Sequence, residues 1–261
     1  MSEKKTVINT AIHCGRGDFL FDEAFNSLAV NLKYIAKQDQ CAVVAVTSHF
    51  SGEGKSTVSY NLSFTLAQQG RRVLLIDADL RRGRLHRYFD EERSNGLTDY
   101  LCGIKKSKEI VRKSNVEGFD YVSAGATTMS PIKLLDRKEF ALFIDEMRKN
   151  YDWIIIDSAP VGMVSDALMV MRIVDGAILV ADQKKSRKND VARAVEALKV
   201  SKVDILGFVL NNAENIRNAK GRGRYSRYER YGYYLTNRDH MKAMEKAKAQ
   251  ETQADKENKE G

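Results

Sequence analysis

Chemistry in this chain is concentrated in three short stretches. The first, "SHFSGEGKST", sets Gly52 and Gly54 directly before Lys55, Ser56 and Thr57. The second, "LLIDADLRRGRLH", carries Asp77 and Asp79 two residues apart and then Arg81; the third, "IIIDSAP", carries Asp157. A glycine-rich turn that enters a helix presents successive backbone N–H groups to phosphate, a lysine adds charge at the outer phosphates, and a serine hydroxyl is an oxygen ligand for Mg²⁺. Ser51, Gly52, Glu53, Gly54, Lys55, Ser56 and Thr57 are therefore the candidate nucleotide contacts, joined by Asn211 from the end of a later strand. Carboxylates at i and i+2 of an extended segment point the same way, so Asp77 and Asp79 are expected to face one site. Acids at strand ends beside a phosphate loop suit a metal and nucleotide site better than a set of independent helix caps, and Ser56, Asp79 and Asp157 are the candidate Mg²⁺ ligands.

The surrounding pattern supplies the elements that would hold these residues. "DEAFNSLAVNLKYIAK" spaces Phe25, Leu28, Leu32 and Ile35 as one face of an amphipathic helix. "CAVVAVTS" reads as a buried strand, "KSTVSYNLSFTLAQQG" as a helix stopped at Gly70, and "RRVLLIDAD" as a second strand, which together make a βαβ unit. "YDWIIIDSAP", "GAILVADQ" and "DILGFVLNN" repeat the apolar strand with polar residues at its carboxyl end, and helices such as "RKNDVARAVEALKVS" lie between. The expected fold is α/β, a mostly parallel sheet with helices on both faces and its ligand at the carboxyl ends of the strands.

With 261 residues, 43% of them hydrophobic, the chain can bury the core of one such domain. The start "MSEKKTVINTAIHCGRGDF" lacks the apolar run of a signal peptide, and no stretch approaches the ~20 apolar residues of a membrane span, so the expected location is cytoplasmic. Three widely separated cysteines and four scattered histidines support neither a disulfide framework nor a zinc site. The formal net charge of +8 is uneven: between Ile216 and His240 seven Lys/Arg residues face two acids. That segment contains "RYSRYERYGYY", which holds five of the 11 tyrosines, Tyr225, Tyr228, Tyr231, Tyr233 and Tyr234. Arginines and glycines interrupt every strand or helix stripe there, so these tyrosines are expected to be exposed.

These motifs, taken together, resemble the bacterial tyrosine kinases, P-loop proteins related to the MinD/ParA ATPases. The resemblance runs from Asp22 to about Asn212 and rests on a Walker A loop "SGEGKST", a Walker A′ segment "LLIDADLR", a Walker B segment "IIIDSAP" and the terminal tyrosine cluster. It is strongest to the separate cytoplasmic kinases of capsule and exopolysaccharide systems. It implies an N-terminal arm over 1–20, a P-loop kinase domain over 21–215 and a basic, tyrosine-rich tail over 216–261. It further implies ATP and Mg²⁺ as cofactors, Asp77 as proton acceptor, and Lys55, Asp79 and Arg81 assisting at the phosphates. The tail tyrosines become the substrates of phosphorylation in trans. Expected partners are a transmembrane adaptor of the polysaccharide co-polymerase type, which would recruit the kinase to the inner face of the membrane, a second copy of the chain, exogenous protein substrates and a tyrosine phosphatase; nucleic acid is not among them.

Four positions depart from the standard phosphate-loop pattern or from the family's own. GxxxxGK[ST] misses its first glycine, because His49 stands there, and the proline common before GxGK is Ser51. The early helix, ExxRxxR in the family and part of its ring assembly, reads Glu23, Asn26, Ala29, with both arginines replaced. The competing reading is a MinD/ParA-like ATPase switch whose Arg- and Tyr-rich tail binds nucleic acid by stacking and phosphate contact. Against it stands Phe50, at the place of the signature lysine of those ATPases.

Overall fold

The structure, a computed structural model, describes residues 19–35 and 40–213. Nearly all of the N-terminal arm and the whole tyrosine-bearing tail, with Tyr225, Tyr228, Tyr231, Tyr233 and Tyr234, lie outside the described residues.

In chain order the elements are α1 (Phe19–Ile35), β1 (Ala42–Ser48), α2 (Lys55–Gln68), β2 (Val73–Asp77), a 3-10 turn (Leu85–Phe89), α3 (Leu97–Leu101), α4 (Ser107–Ile110), β3 (Arg112–Lys113) and β4 (Phe119–Val122). They continue as α5 (Pro131–Leu135), α6 (Lys138–Arg148), β5 (Trp153–Asp157), α7 (Asp166–Met171), β6 (Gly176–Asp182), α8 (Lys188–Val200) and β7 (Ile205–Asn211). The strands form one sheet in the order β3-β4-β2-β5-β1-β6-β7, parallel throughout except for the short β3 against β4. The expectation of a mostly parallel sheet with helices on both faces holds.

The period of two along each central strand divides its side chains between two cores. Val43 and Ala45 of β1, Leu74 and Ile76 of β2 and Ile154 and Ile156 of β5 face α6 and α7, where Phe140, Phe143 and Val170 close the layer. Val44, Leu75, Ile155 and Ile178 face the other way, onto Leu62 and Leu66 of α2 and, beyond it, Phe25, Ala29 and Leu32 of α1. A strand covered on both faces must be apolar at every position, which is why β1, β2 and β5 read as continuous hydrophobic runs. Each large side chain so buried contributes about 1.5–3 kcal/mol.

Helix α2 is buried along most of its length although it is rich in hydroxyl residues. Ser59 and Ser63 satisfy themselves by donating to the carbonyls of Lys55 (2.9 Å) and Ser59 (2.8 Å), one turn back. Gly70, at φ 77°, ends the helix in the left-handed conformation open to glycine, and the following amide of Arg71 returns to the Leu66 carbonyl. The expected stop is therefore the observed one.

Strand β4 was not legible as a strand because Asp120 interrupts "FDYV". The carboxylate is buried with two partners, Lys113 Nζ at 2.7 Å and the Tyr151 hydroxyl at 2.6 Å.

Candidate functional site

Strand β1 ends at Ser48, and the chain turns through residues 49–54 into α2. Two glycines make that turn: Gly52 has φ 83° and Gly54 φ 100°, both in the left-handed region where a side chain is strained. Gly54 is required a second time, because a Cβ there would run into the side-chain amide of Asn211. Asn211 Nδ2 instead donates to the Glu53 carbonyl at 3.0 Å, so the end of β7 braces the loop. The first turn of α2 directs unpaired N–H groups of Lys55, Ser56 and Thr57 outward, and a 14-residue helix adds the positive end of its dipole. Anions are the ligands such a terminus takes.

The turn opens onto a cavity of about 190 Å³ whose lining includes Gly52, Lys55, Ser56, Thr57, Asp79 and Asp157. Ser51 and Gly54 of the loop also line it, together with Arg82, Arg84 and Tyr88 from the stretch after β2. The expected phosphate, metal and acid residues are thus brought together, with four exceptions of placement.

Asp77 and Asp79 do not both face the cavity. The strand stops at Asp77, so the alternation that would align the two carboxylates is lost beyond it. Asp79 lines the cavity, whereas Asp77 is fully buried behind it and accepts from the amides of Leu85 at 3.0 Å and Asp79 at 3.2 Å. Segment 78–85 closes over Asp77 so tightly that a Cβ on Gly83 would stand 2.7 Å from its Oδ2.

Arg81 is turned away as well. Its guanidinium holds Asp166 through two hydrogen bonds, one from Nε and one from Nη2 at 3.1 Å, and the exposed Arg82 and Arg84 take the cavity wall instead. Glu53 belongs to the loop, but its carboxylate is buried away from the cavity. Asn211 meets the loop backbone, as described.

The electrostatics follow from this crowding of acids. Asp157 is buried, and its Oδ1 has no hydrogen-bond partner among the described residues. Burial raises its pKa from 3.8 to about 6; Asp79 adds to the rise, while Lys55 and a hydrogen bond with Ser56 oppose it. Asp77 is raised well above the usual carboxylate range, by burial first and by Asp157 second.

Sequence reasoning missed Arg82, Arg84 and Tyr88, although they follow the Walker A′ acids directly. Tyr88 stacks on Tyr60, with centroids 5.1 Å apart, and its hydroxyl lies 3.0 Å from Thr57 Oγ1. Tyr88 stands 31 residues from Thr57 in the chain, so only the fold shows that it meets the loop.

Comparison with known proteins places this site in a family. A family model described as an AAA domain matches residues 41–200, which contain the loop, both acidic segments and all but the last strand of the parallel sheet. The tyrosine-protein kinase YwqD of Bacillus subtilis is 34% identical over 222 residues, covering 85% of this chain and 90% of that protein. The kinase domain of the Escherichia coli tyrosine kinase ETK superposes with a TM-score of 0.69 at 30% identity, over 77% of this chain and 79% of that one. The septum site-determining protein MinD of Pyrococcus horikoshii, complexed with Mg-ADP, is more distant, with a TM-score of 0.58 at 29% identity over 67% and 72% of the two chains. A loop built to receive phosphate, identity sustained along nearly the full length of a tyrosine kinase and a MinD-like frame agree: the chain belongs to the bacterial tyrosine-protein kinases, enzymes on a P-loop nucleotide-binding fold.

Proposed function

We propose that this kinase transfers the γ-phosphate of ATP to Tyr225, Tyr228, Tyr231, Tyr233 and Tyr234 of a neighbouring copy, and that the modified tail regulates synthesis and export of a capsular or extracellular polysaccharide. The observation that carries the reading is the convergence of Lys55, Ser56, Asp79 and Asp157 on one cavity, with Asp77 directly behind it.

Lys55 and the amides of residues 52–56 hold the phosphates and take up charge that develops on the transferred group. The donor set fits Mg²⁺, since Asp157 Oδ1 is a buried carboxylate oxygen with no hydrogen-bond partner among the described residues, and Asp157 is adjacent to the Ser56 hydroxyl. Ser56 would hold the ion, with Asp79 and Asp157 through water, and when bound it neutralises phosphate charge.

A tyrosine hydroxyl has a pKa of about 10, so roughly one in a thousand is ionised at neutral pH and a proton acceptor assists transfer. Asp77 takes that part. Segment 78–85, which packs over its carboxylate, moves aside when the acceptor tyrosine enters. Arg82 and Arg84 steer the phosphates at the wall, the task first expected of Arg81.

Each phosphate brings about −1.5 to −2 charges, so full modification reverses the charge of the basic tail and releases or recruits its partner. A transmembrane adaptor of the co-polymerase type recruits the kinase to the inner face of the membrane; among the described residues no helix is long and apolar enough to cross one. A tyrosine phosphatase resets the tail, and other proteins of the same system are further substrates.

Phosphosite mass spectrometry of the full chain with Mg²⁺ and ATP, with and without adaptor peptide, tests this. Phosphate on the five tyrosines of a Lys55→Met chain mixed with an active chain lacking residues 216–261 is the expected result. Labelling that persists when all five are phenylalanine, or ATP hydrolysis without phosphotyrosine, refutes it; the second outcome favours an ATPase switch.

A further inference from the structure

We infer that Glu53 is a positioning residue: it holds the nucleotide loop in its binding form by tying the back of the loop to the turn between β6 and α8. Glu53 is 1% exposed, and both carboxylate oxygens are committed away from the cavity. Oε2 accepts from the Phe50 amide at 2.7 Å, which closes the loop on itself. Oε1 accepts from the Ser186 hydroxyl, and Ser186 Oγ in turn accepts from the Asp182 amide at 2.8 Å, at the end of β6.

Two further bonds cross the same seam. Lys185 Nζ donates to the Gly52 carbonyl at 3.0 Å, and Asn211 Nδ2 donates to the Glu53 carbonyl at 3.0 Å. The turn is itself held, since Asp182 accepts from the Lys184 amide at 2.9 Å and from Asn212 Nδ2 at 2.8 Å. Two segments far from it in sequence, the β6–α8 turn and the end of β7, therefore grip the stretch from Phe50 to Gly54 from behind.

The need for such a grip follows from the loop. Glycines at 52 and 54 permit the required positive φ but leave the free chain many alternatives, and ordering them for each nucleotide would cost affinity. A carboxylate has a specific merit here, as its two oxygens accept from two different segments at once. Its charge is a liability beside a polyphosphate, because like charges repel. The buried Glu53 therefore acts through geometry, and an uncharged residue of the same shape should serve as well.

That distinction defines the experiment: calorimetric titration of the full chain with ADP and MgCl₂, for wild type, Glu53→Ala, Glu53→Gln and Ser186→Ala, at a temperature where each is folded. A hydrogen bond to a charged group is worth about 1.5–3 kcal/mol, so Glu53→Ala should weaken ADP binding about 10- to 100-fold and Ser186→Ala about 3- to 10-fold. Glutamine accepts from Phe50 through Oε1 and donates to Ser186 through Nε2, so Glu53→Gln should bind within about threefold of wild type. A role confined to folding would shift melting while leaving ADP affinity in place.

Wild-type affinity in Glu53→Ala overturns the assignment, as does a Glu53→Gln variant as weak as Glu53→Ala. Should Glu53→Ala fail to fold, wild-type affinity in Ser186→Ala overturns it. The readout is nucleotide binding, so the outcome is independent of whether the tail is the substrate.

Discussion

Replacing Asp157 by asparagine should stabilise the nucleotide-free, metal-free kinase at neutral pH, even though it removes a residue of the site. Asp157 is 1% exposed, with one oxygen unpartnered among the described residues, and its pKa rises from 3.8 to about 6, chiefly through burial. Between these values the folded protein holds a proton that the unfolded chain has already released, so folding stability falls as pH rises across that window. A rise of about two units, at about 1.4 kcal/mol per unit, corresponds to roughly 3 kcal/mol lost by pH 7.5. Asparagine cannot ionise and escapes this loss, which is already net of the attraction between Asp157 and Lys55. For a domain of this size about 2–4 °C accompanies each kcal/mol, so the variant should melt about 6–12 °C higher. Calorimetric melting in EDTA at pH 7.5 reads the gain, which should shrink toward zero near pH 4, where the folded wild type is protonated. Adding Mg-ADP should reverse the order, because the wild type has the carboxylate that the cation needs. A variant that melts lower than wild type at pH 7.5 in EDTA, or gains as much at pH 4, refutes the account of Asp157 as an acid held at a cost for its ligand.

Two further substitutions test the walls of the site. Arg81→Ala strands the buried Asp166 carboxylate and should lower stability by about 1–3 kcal/mol in urea unfolding, discounted for the exposed arginine, with Asp166→Asn restoring most of the loss. An unchanged urea midpoint with phosphoryl transfer lost would return Arg81 to the phosphates. Tyr88→Phe keeps the stack on Tyr60 but deletes the 3.0 Å bond to Thr57, for an expected loss of about 0.5–1.5 kcal/mol; a midpoint equal to wild type would show the hydroxyl to be idle.

The frame was legible because burial on both faces writes itself into consecutive residues. "CAVVAVTS", "RRVLLIDAD" and "YDWIIIDSAP" became β1, β2 and β5 with their acids at the expected ends. The phosphate loop was legible because its backbone shape demands glycine at fixed spacing, and Gly52 and Gly54 have the positive φ that such a loop needs. Strand β4 hid behind Asp120, whose partners Lys113 and Tyr151 are set by tertiary packing. The early helix lies where its spacing put it, packed through Phe25, Ala29 and Leu32 against the layer of α2.

What the sequence could not show is the direction each polar side chain takes once the strand has ended. Arg81, Arg82 and Arg84 look equivalent in "DLRRGRLH", yet Arg81 is claimed by an aspartate 85 residues later in the chain, and only then do the others become the cavity wall. Glu53 looked like a nucleotide contact by its place in the motif, and is instead claimed by Ser186, 133 residues away. The backbone amides that cradle phosphate lie together on one short loop, so local spacing reveals them. Groups that hold the loop still must come from elsewhere, since a brace from within would move with what it braces, and only the fold brings them into reach.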